Sequence, residues 1–241
     1  MATRKKTTTR KKKAPPKRSF KRRMTCWAVR GVAVVFLIAV FFVLLFAFVN
    51  PPTNAYIYSE SRRLGGLKHD WTPLEDIAPV MARSAVAAED ANFCGHWGFD
   101  MVAIRAAIAE GSARGASTIS QQTVKNVYLW QGRSWVRKAM EALMTPVVEA
   151  IWTKRRIIEV YLNIAEFDEG VFGVGAASKH YFGVHARDLS PTQAARLAAI
   201  LPSPKNRSAS NPSSFVRKRT RQIIGGAATI SKDGRADCFE S

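Results

Sequence analysis

At 241 residues the chain has room for one ordinary domain plus accessories, and its formal net charge of +19 is spread unevenly. Residues 1–23 hold twelve Lys or Arg and no acid, while the remaining 25 basic and 18 acidic residues leave only +7. The four histidines show no HExxH or CxxC spacing, and no GxSxG or Walker sequence occurs, which argues against zinc, serine-hydrolase and P-loop chemistry.

The basic tail, residues 1–23, lacks the apolar side chains needed to offset the entropy of ordering. A nucleic-acid arm would have this composition. Its place beside an apolar run makes membrane topology and anionic lipid the simpler reading, so nucleic acid is not an expected partner. Residues 31–49 are nineteen apolar or Gly positions without a charge, close to the roughly twenty needed to cross about 30 Å of hydrocarbon. A signal peptide has a shorter apolar core and a small-residue cleavage site, whereas this run meets Asn50-Pro51-Pro52. The expectation is an uncleaved transmembrane helix over residues 24–49. Cations before the span place the N-terminus in the cytoplasm and the rest outside, in a bacterial cell the periplasm. Cys26 borders the span; Cys94 and Cys238 either pair in an oxidising compartment or remain two thiols.

Residues 50–70 read as a connector and residues 71–241 as the exported domain. Thr72, Pro73 and Glu75 suggest a capping box, and a helix from Pro79 reaches Glu89 and Asp90. Asp100 caps a helix that Gly111 stops, with Met101, Ile104 and Ile108 on one face. Another helix starts at Ser117 or Thr118. Ser134 opens a longer one whose Val136, Met140, Leu143, Val147 and Ile151 form a core-facing stripe, bent at Pro146. Thr153 caps the next helix, Ser190 with Gln193 the one after, and a last helix covers about 215–224. Alternating strands are scarce, so the fold class is mainly α.

The chemistry is carboxylate plus cation. Thr118, Gln121, Gln122 and Lys125 form a polar stripe that suits either a binding wall or a solvated face. Arg137 and Lys138 lie four and three residues before Glu141, as in an ordinary helix ion pair. Arg133, Arg137 and Lys138, and the TKRR run at 153–156, put cations at helix starts against the dipole. Cations so placed suggest an external anion, a substrate or lipid headgroups.

Four ordered motifs then carry a resemblance. EDANFCGHWGFD, GASTISQQTVKN, RKAME and KRRIIEVYLNIAEFDEGVFGVGAASKHYFG resemble the motifs of glycosyltransferase family 51, the peptidoglycan glycosyltransferases, in family order from residue 89 to 183. No transpeptidase domain fits after residue 241, so the chain resembles the monofunctional branch. Ala116, where many bifunctional members have Gly, and Cys94 are departures that remove no chemical group.

The resemblance implies a lysozyme-like, α-helical domain with a smaller lobe dipping toward the bilayer. It implies lipid II and the growing glycan strand as substrates, with the membrane and cell-wall synthesis and division proteins as partners. Glu89 would be the general base, and Glu141 a second catalytic carboxylate orienting cations or a divalent ion, Mg²⁺ or Mn²⁺. Lys125, Arg133, Arg137 and Lys138 would neutralise the leaving diphosphate. Ser117, Gln121 and Gln122 would hold sugar or phosphate oxygens. Asp90 joins that binding set and tunes or braces Glu89, while His96 is structural and shapes the turn with Trp97. The rivals are a lytic enzyme working on finished glycan with a carboxylate pair and a scaffold without chemistry.

Overall fold

The computed structural model describes residues 20–109, 111, 117–132 and 134–240. They divide into two compact units, one ending at Phe42 and one running from Val43 onward. The boundary falls inside α1 (Phe20–Phe48), 29 residues that rise about 43 Å, of which Arg22–Phe48 is long and apolar enough to cross a membrane. In the first unit Val32, Val35 and Leu37 are exposed, as lipid-facing side chains would be.

The second unit opens on the last turns of α1. Trp152 donates its indole N–H to the Val43 carbonyl at 2.7 Å, and Arg156 reaches the carbonyls of Phe46 at 3.1 Å and Val49 at 2.9 Å. A helix end leaves carbonyls such as those of Phe46 and Val49 without intrahelical partners, and a cation there suits the dipole. The expected connector, residues 50–70, carries a helix, α2 (Ala55–Leu64), capped by Asn54. Pro51-Pro52 at the start of that stretch and Gly65-Gly66 within it suggest a connector, but Ile57 and Glu60 are buried.

After β1 (Lys68–His69), Thr72 heads no capping box, because its amide and carbonyl are both taken by the Asn163 side chain at 2.7 and 2.8 Å. Then come α3 (Pro79–Glu89), α4 (Met101–Ala109), α5 (Ile119–Tyr128), α6 (Trp135–Ile151) and α7 (Lys154–Ile164). β2 (Glu166–Asp168), β3 (Val171–Phe172), α8 (Val174–Phe182), α9 (Pro191–Ile200), α10 (Ser214–Lys232) and α11 (Asp237–Glu240) complete the chain. The strands form one small sheet in the order β1-β3-β2, with Lys68 paired to Val171 in parallel and Glu166 to Phe172 antiparallel. The domain is mainly α, as expected.

Two helix groups build the core. In one, α9 buries Ala194, Ala195, Leu197 and Ala198 against α3 and α10, small side chains that let axes approach closely. In the other, α7 is buried nearly all round after its cationic first turn, with Ile157, Ile158, Val160, Tyr161, Leu162 and Ile164 inside, as befits a central helix. It packs against α5, which also meets α6.

The core-facing stripe expected on α6 holds only at its C-terminal end, where Val147 and Ile151 are half-buried against the core. Val136 and Leu143 are 66% and 75% exposed, while Glu141, Thr145, Val148 and Glu149 point inward. Periodicity identifies a face but not its direction. Glu149 finds its partners on other elements, Ser120 of α5 and Lys154 of α7, and Glu141 finds Arg137 and Lys138 on α6 itself. On α4 no side chain is buried, leaving Met101, Val102 and Ile108 exposed.

Cys94 and Cys238, whose pairing was open, form a disulfide across a sequence separation of 144. It fastens the turn after Glu89 to α11, where Phe93 and Phe239 pack with ring centroids 6.2 Å apart. Closing so long a loop restricts the unfolded chain by on the order of 4–5 kcal/mol. The Cys94→Ser, Cys238→Ser double variant is therefore expected to melt roughly 10 °C lower in a detergent-solubilised thermal scan. An unchanged transition would show that the bond contributes nothing to stability.

Candidate active site

Asp90 is the joint of the site. It follows α3 as its C-cap, with its side chain buried. One carboxylate oxygen meets His96 Nε2 at 2.8 Å, and the other accepts the Ile119 backbone N–H at 3.0 Å, at the start of α5. The end of α3 is thereby fixed to a helix N-terminus, where a carboxylate is favoured. Both Asp90 oxygens are engaged within the protein, the geometry of a brace. His96 takes the structural role expected of it.

Gln121 also bonds within the frame. Thr118 caps α5 by accepting from the Gln121 amide at 3.2 Å, and Gln121 Oε1 accepts the Thr118 amide at 3.0 Å. This reciprocal box engages Oε1 of the buried Gln121 side chain. Thr118 also donates to the Gly98 carbonyl at 2.6 Å. Gly98 has φ +79°, and a Cβ there would lie 2.4 Å from Thr145 Cγ2, so the motif glycine answers both a left-handed backbone and a close approach to α6.

With α3 and α5 so joined, Gln122 Nε2 donates to Glu89 Oε2 at 2.9 Å. Both line a cleft of about 610 Å³ together with Ser117, Lys125, Arg137, Lys138 and Glu141. Glu141 is 2% exposed and accepts from Arg137 Nη1 at 2.6 Å and from Lys138 Nζ, one cation on each oxygen. Lys138 also donates to Ser117 Oγ at 3.1 Å. Glu141 thus positions cations. With both oxygens engaged it is poorly suited to a metal, and among the described residues no group of three His, Cys, Asp or Glu gathers as a ligand set. Arg133 and Ala116 lie outside the described residues.

Electrostatics follow from this packing. Burial pushes the Glu89 carboxyl above its ordinary pKa, the Gln122 hydrogen bond and the Arg219 and Arg207 charges pull it back, and Asp90 raises it further. Burial lowers the Lys125 ammonium, Glu141 opposes that shift, and Arg137 and Lys138 reinforce it. A carboxylate readier to hold a proton faces cations held close together.

The far wall comes from Pro202, Arg207, Phe215 and Arg219, none of which the motifs indicated. Arg219 donates to the Ala88 carbonyl at 2.8 Å, one residue before Glu89, and the Arg207 guanidinium stacks 4.9 Å from the Phe215 ring centroid. A sequence signal existed: Phe215 and Arg219 are four apart beside the buried stripe Val216, Thr220 and Ile223.

The second cation run, TKRR, has internal partners instead of an external anion. Lys154 binds Glu149 at 2.8 Å and the His96 carbonyl at 2.7 Å, and Arg155 donates to the Phe239 carbonyl at 3.2 Å. Arg156 serves α1 as described above.

A family model described as Transglycosylase matches residues 58–228. The chain belongs to the transglycosylase family. A biosynthetic peptidoglycan transglycosylase of Jannaschia sp. (strain CCS1) is 57% identical over 222 residues, 92% of this chain and 93% of the relative. Proteins of the same name from Caulobacter vibrioides and Yersinia pestis (strain Pestoides F) are 46% and 45% identical, covering 81% and 82% of this chain and 87% of each relative. The transglycosylase match begins within α2 and ends within α10, so it contains the whole cleft. This transglycosylase is an enzyme of glycosyl transfer on a helical, lysozyme-like domain.

Proposed function

We propose that this transglycosylase polymerises lipid II into β-1,4 glycan strands of peptidoglycan. The acceptor's sugar 4-hydroxyl attacks C1 of the growing strand, its proton passes to Glu89, and the C1–O bond to undecaprenyl diphosphate breaks with the electron pair leaving on the diphosphate. A single displacement inverts the α-linked centre to β. The observation that carries this reading is one cleft holding Glu89 opposite Lys125, Arg137 and Lys138. General-base assistance is worth about 10²–10⁴-fold, and fixed cations at a departing diphosphate supply the larger share. Gln122 orients Glu89, Ser117 and Lys138 face donor oxygens, and Glu141 keeps Arg137 and Lys138 in place. Arg207 and Arg219 hold the far wall positive, where the acceptor's own diphosphate would lie.

The apolar helix would anchor the chain in the bacterial inner membrane with its N-terminus cytoplasmic and the catalytic domain periplasmic. The Cys94–Cys238 bond suits an oxidising compartment. The exposed apolar faces of α4 and α6 would give the smaller lobe its contact with lipid. Cell-wall synthesis and division proteins would be its neighbours there. A lytic enzyme, whose leaving group is a sugar hydroxyl, has no use for the cation cluster. The full-length protein with lipid II is expected to give polymer and free undecaprenyl diphosphate, and with finished glycan no fragments. Fragments without polymer would overturn the reading.

A further inference from the structure

The outer side of α10 is used neither by the core nor by the cleft. Phe215 and Arg219 face the cleft, and Val216, Thr220 and Ile223 are buried. Arg217, Lys218 and Arg221 occupy the remaining side and are exposed. At spacings of three and four, Lys218 and Arg217 both neighbour Arg221 on the helix surface. Among the described residues no acidic side chain pairs with any of them, and Arg217 reaches only the Pro212 carbonyl, at 2.5 Å.

Like charges three and four residues apart on a helix repel, and Arg217, at the end of the first turn of α10, also opposes the dipole. The comparable run at the start of α7 is answered inside the protein; this one is not. The arrangement calls for negative charge from outside. Three cations over an open helix side, with no buried donor beneath them, suit an extended anionic surface better than a single bound phosphate.

The place of that surface rests on the proposed function. A cleft that takes sugars carried on lipid diphosphates must open at the bilayer–water boundary. Its rim includes Phe215, 57% exposed, an apolar ring that suits the headgroup–acyl boundary. We propose that the exposed side of α10 docks anionic phospholipid headgroups and seats the mouth of the cleft on the bilayer. Each cation near such a surface strengthens attachment about fivefold, so neutralising all three weakens it about a hundredfold.

The test uses the full chain in proteoliposomes. Cys26→Ser removes the free thiol, and Ser214→Cys, on the stripe of Lys218 and Arg221, carries an environment-sensitive fluorophore. Vesicles containing a third phosphatidylglycerol are expected to blue-shift its emission, reversibly with salt, and pure phosphatidylcholine vesicles are not. Adding Arg217→Gln, Lys218→Gln and Arg221→Gln is expected to abolish the shift. Equal emission in both lipids, a shift that survives neutralisation, or an equal shift from a soluble polyanion added to phosphatidylcholine vesicles would each overturn the proposal. This readout needs no turnover, so failure of the lipid II reading would show separately, as absent polymer in detergent.

Discussion

Glu89→Gln polymerises lipid II at least a hundredfold more slowly than the unsubstituted chain and melts at a higher temperature. The rate falls because an amide cannot take the acceptor's proton, a step worth about 10²–10⁴-fold. The melting temperature rises because burial makes the ionised carboxylate costly in the folded state. With its folded pKa above the unfolded one, the native protein binds more protons than the unfolded chain between the two values, so stability falls as pH rises through that window. Above it the full penalty persists, and the glutamine escapes it. Below the unfolded value, about 4.3, both states hold the proton and the difference in melting disappears. In the same assay, the rate of the unsubstituted protein rises with pH through the elevated Glu89 pKa. Activity near that of the parent would remove Glu89 from the role of base. A lower melting temperature at neutral pH would contradict the direction of its shift.

Lys125→Met gives the other large effect. It keeps the length and apolar stem of the side chain and removes a charge half-buried between Glu89 and Glu141. Loss of one fixed donor to developing charge costs on the order of 10²–10³ in kcat, read as initial polymerisation rate at saturating lipid II. Lys125 also favours ionised Glu89, so the pH–rate profile of the variant moves upward. Because the folded pKa of Lys125 lies below its unfolded value, the charged form is disfavoured in the native state. The variant gains stability at neutral pH, and the gain shrinks as pH rises through the lowered pKa. An unchanged kcat would mean that the diphosphate leaves without this ammonium.

The sequence made local structure legible wherever one short segment decided it. Ser134, Thr153 and Ser190 cap the helices expected of them, because an N-cap depends on a hydroxyl and an amide three residues on. It was opaque where a distant residue decided. Thr72 lost its box to Asn163, ninety-one residues away. The α6 stripe reads as inward along its whole length because nothing local announces that Glu149 meets Ser120 on α5 and Lys154 on α7. The last helix was expected to stop at 224, before Gly225-Gly226, yet α10 continues to Lys232. Gly226 serves close packing: a Cβ there would lie 3.1 Å from that of Ala87 on α3.

The site divides in the same way. Glu89, Gln122, Lys125, Arg137, Lys138, Glu141 and Ser117 meet in one cleft, whereas Asp90 and Gln121 hold the frame that brings them there. Motif matching does not distinguish a residue that touches substrate from one that sets an angle. Arg207 and Arg219 escaped notice because no motif reached the stretch that supplies them.

The link between Cys94 and Cys238 also sets an order of events during biogenesis. Ribosomes deliver the loop after Glu89 long before its covalent partner, separated by 144 positions. Until α11 emerges, Phe93 lacks Phe239 and the turn that follows Glu89 stays unfastened. A nascent chain halted short of α11 would therefore own every motif and still be an immature catalyst.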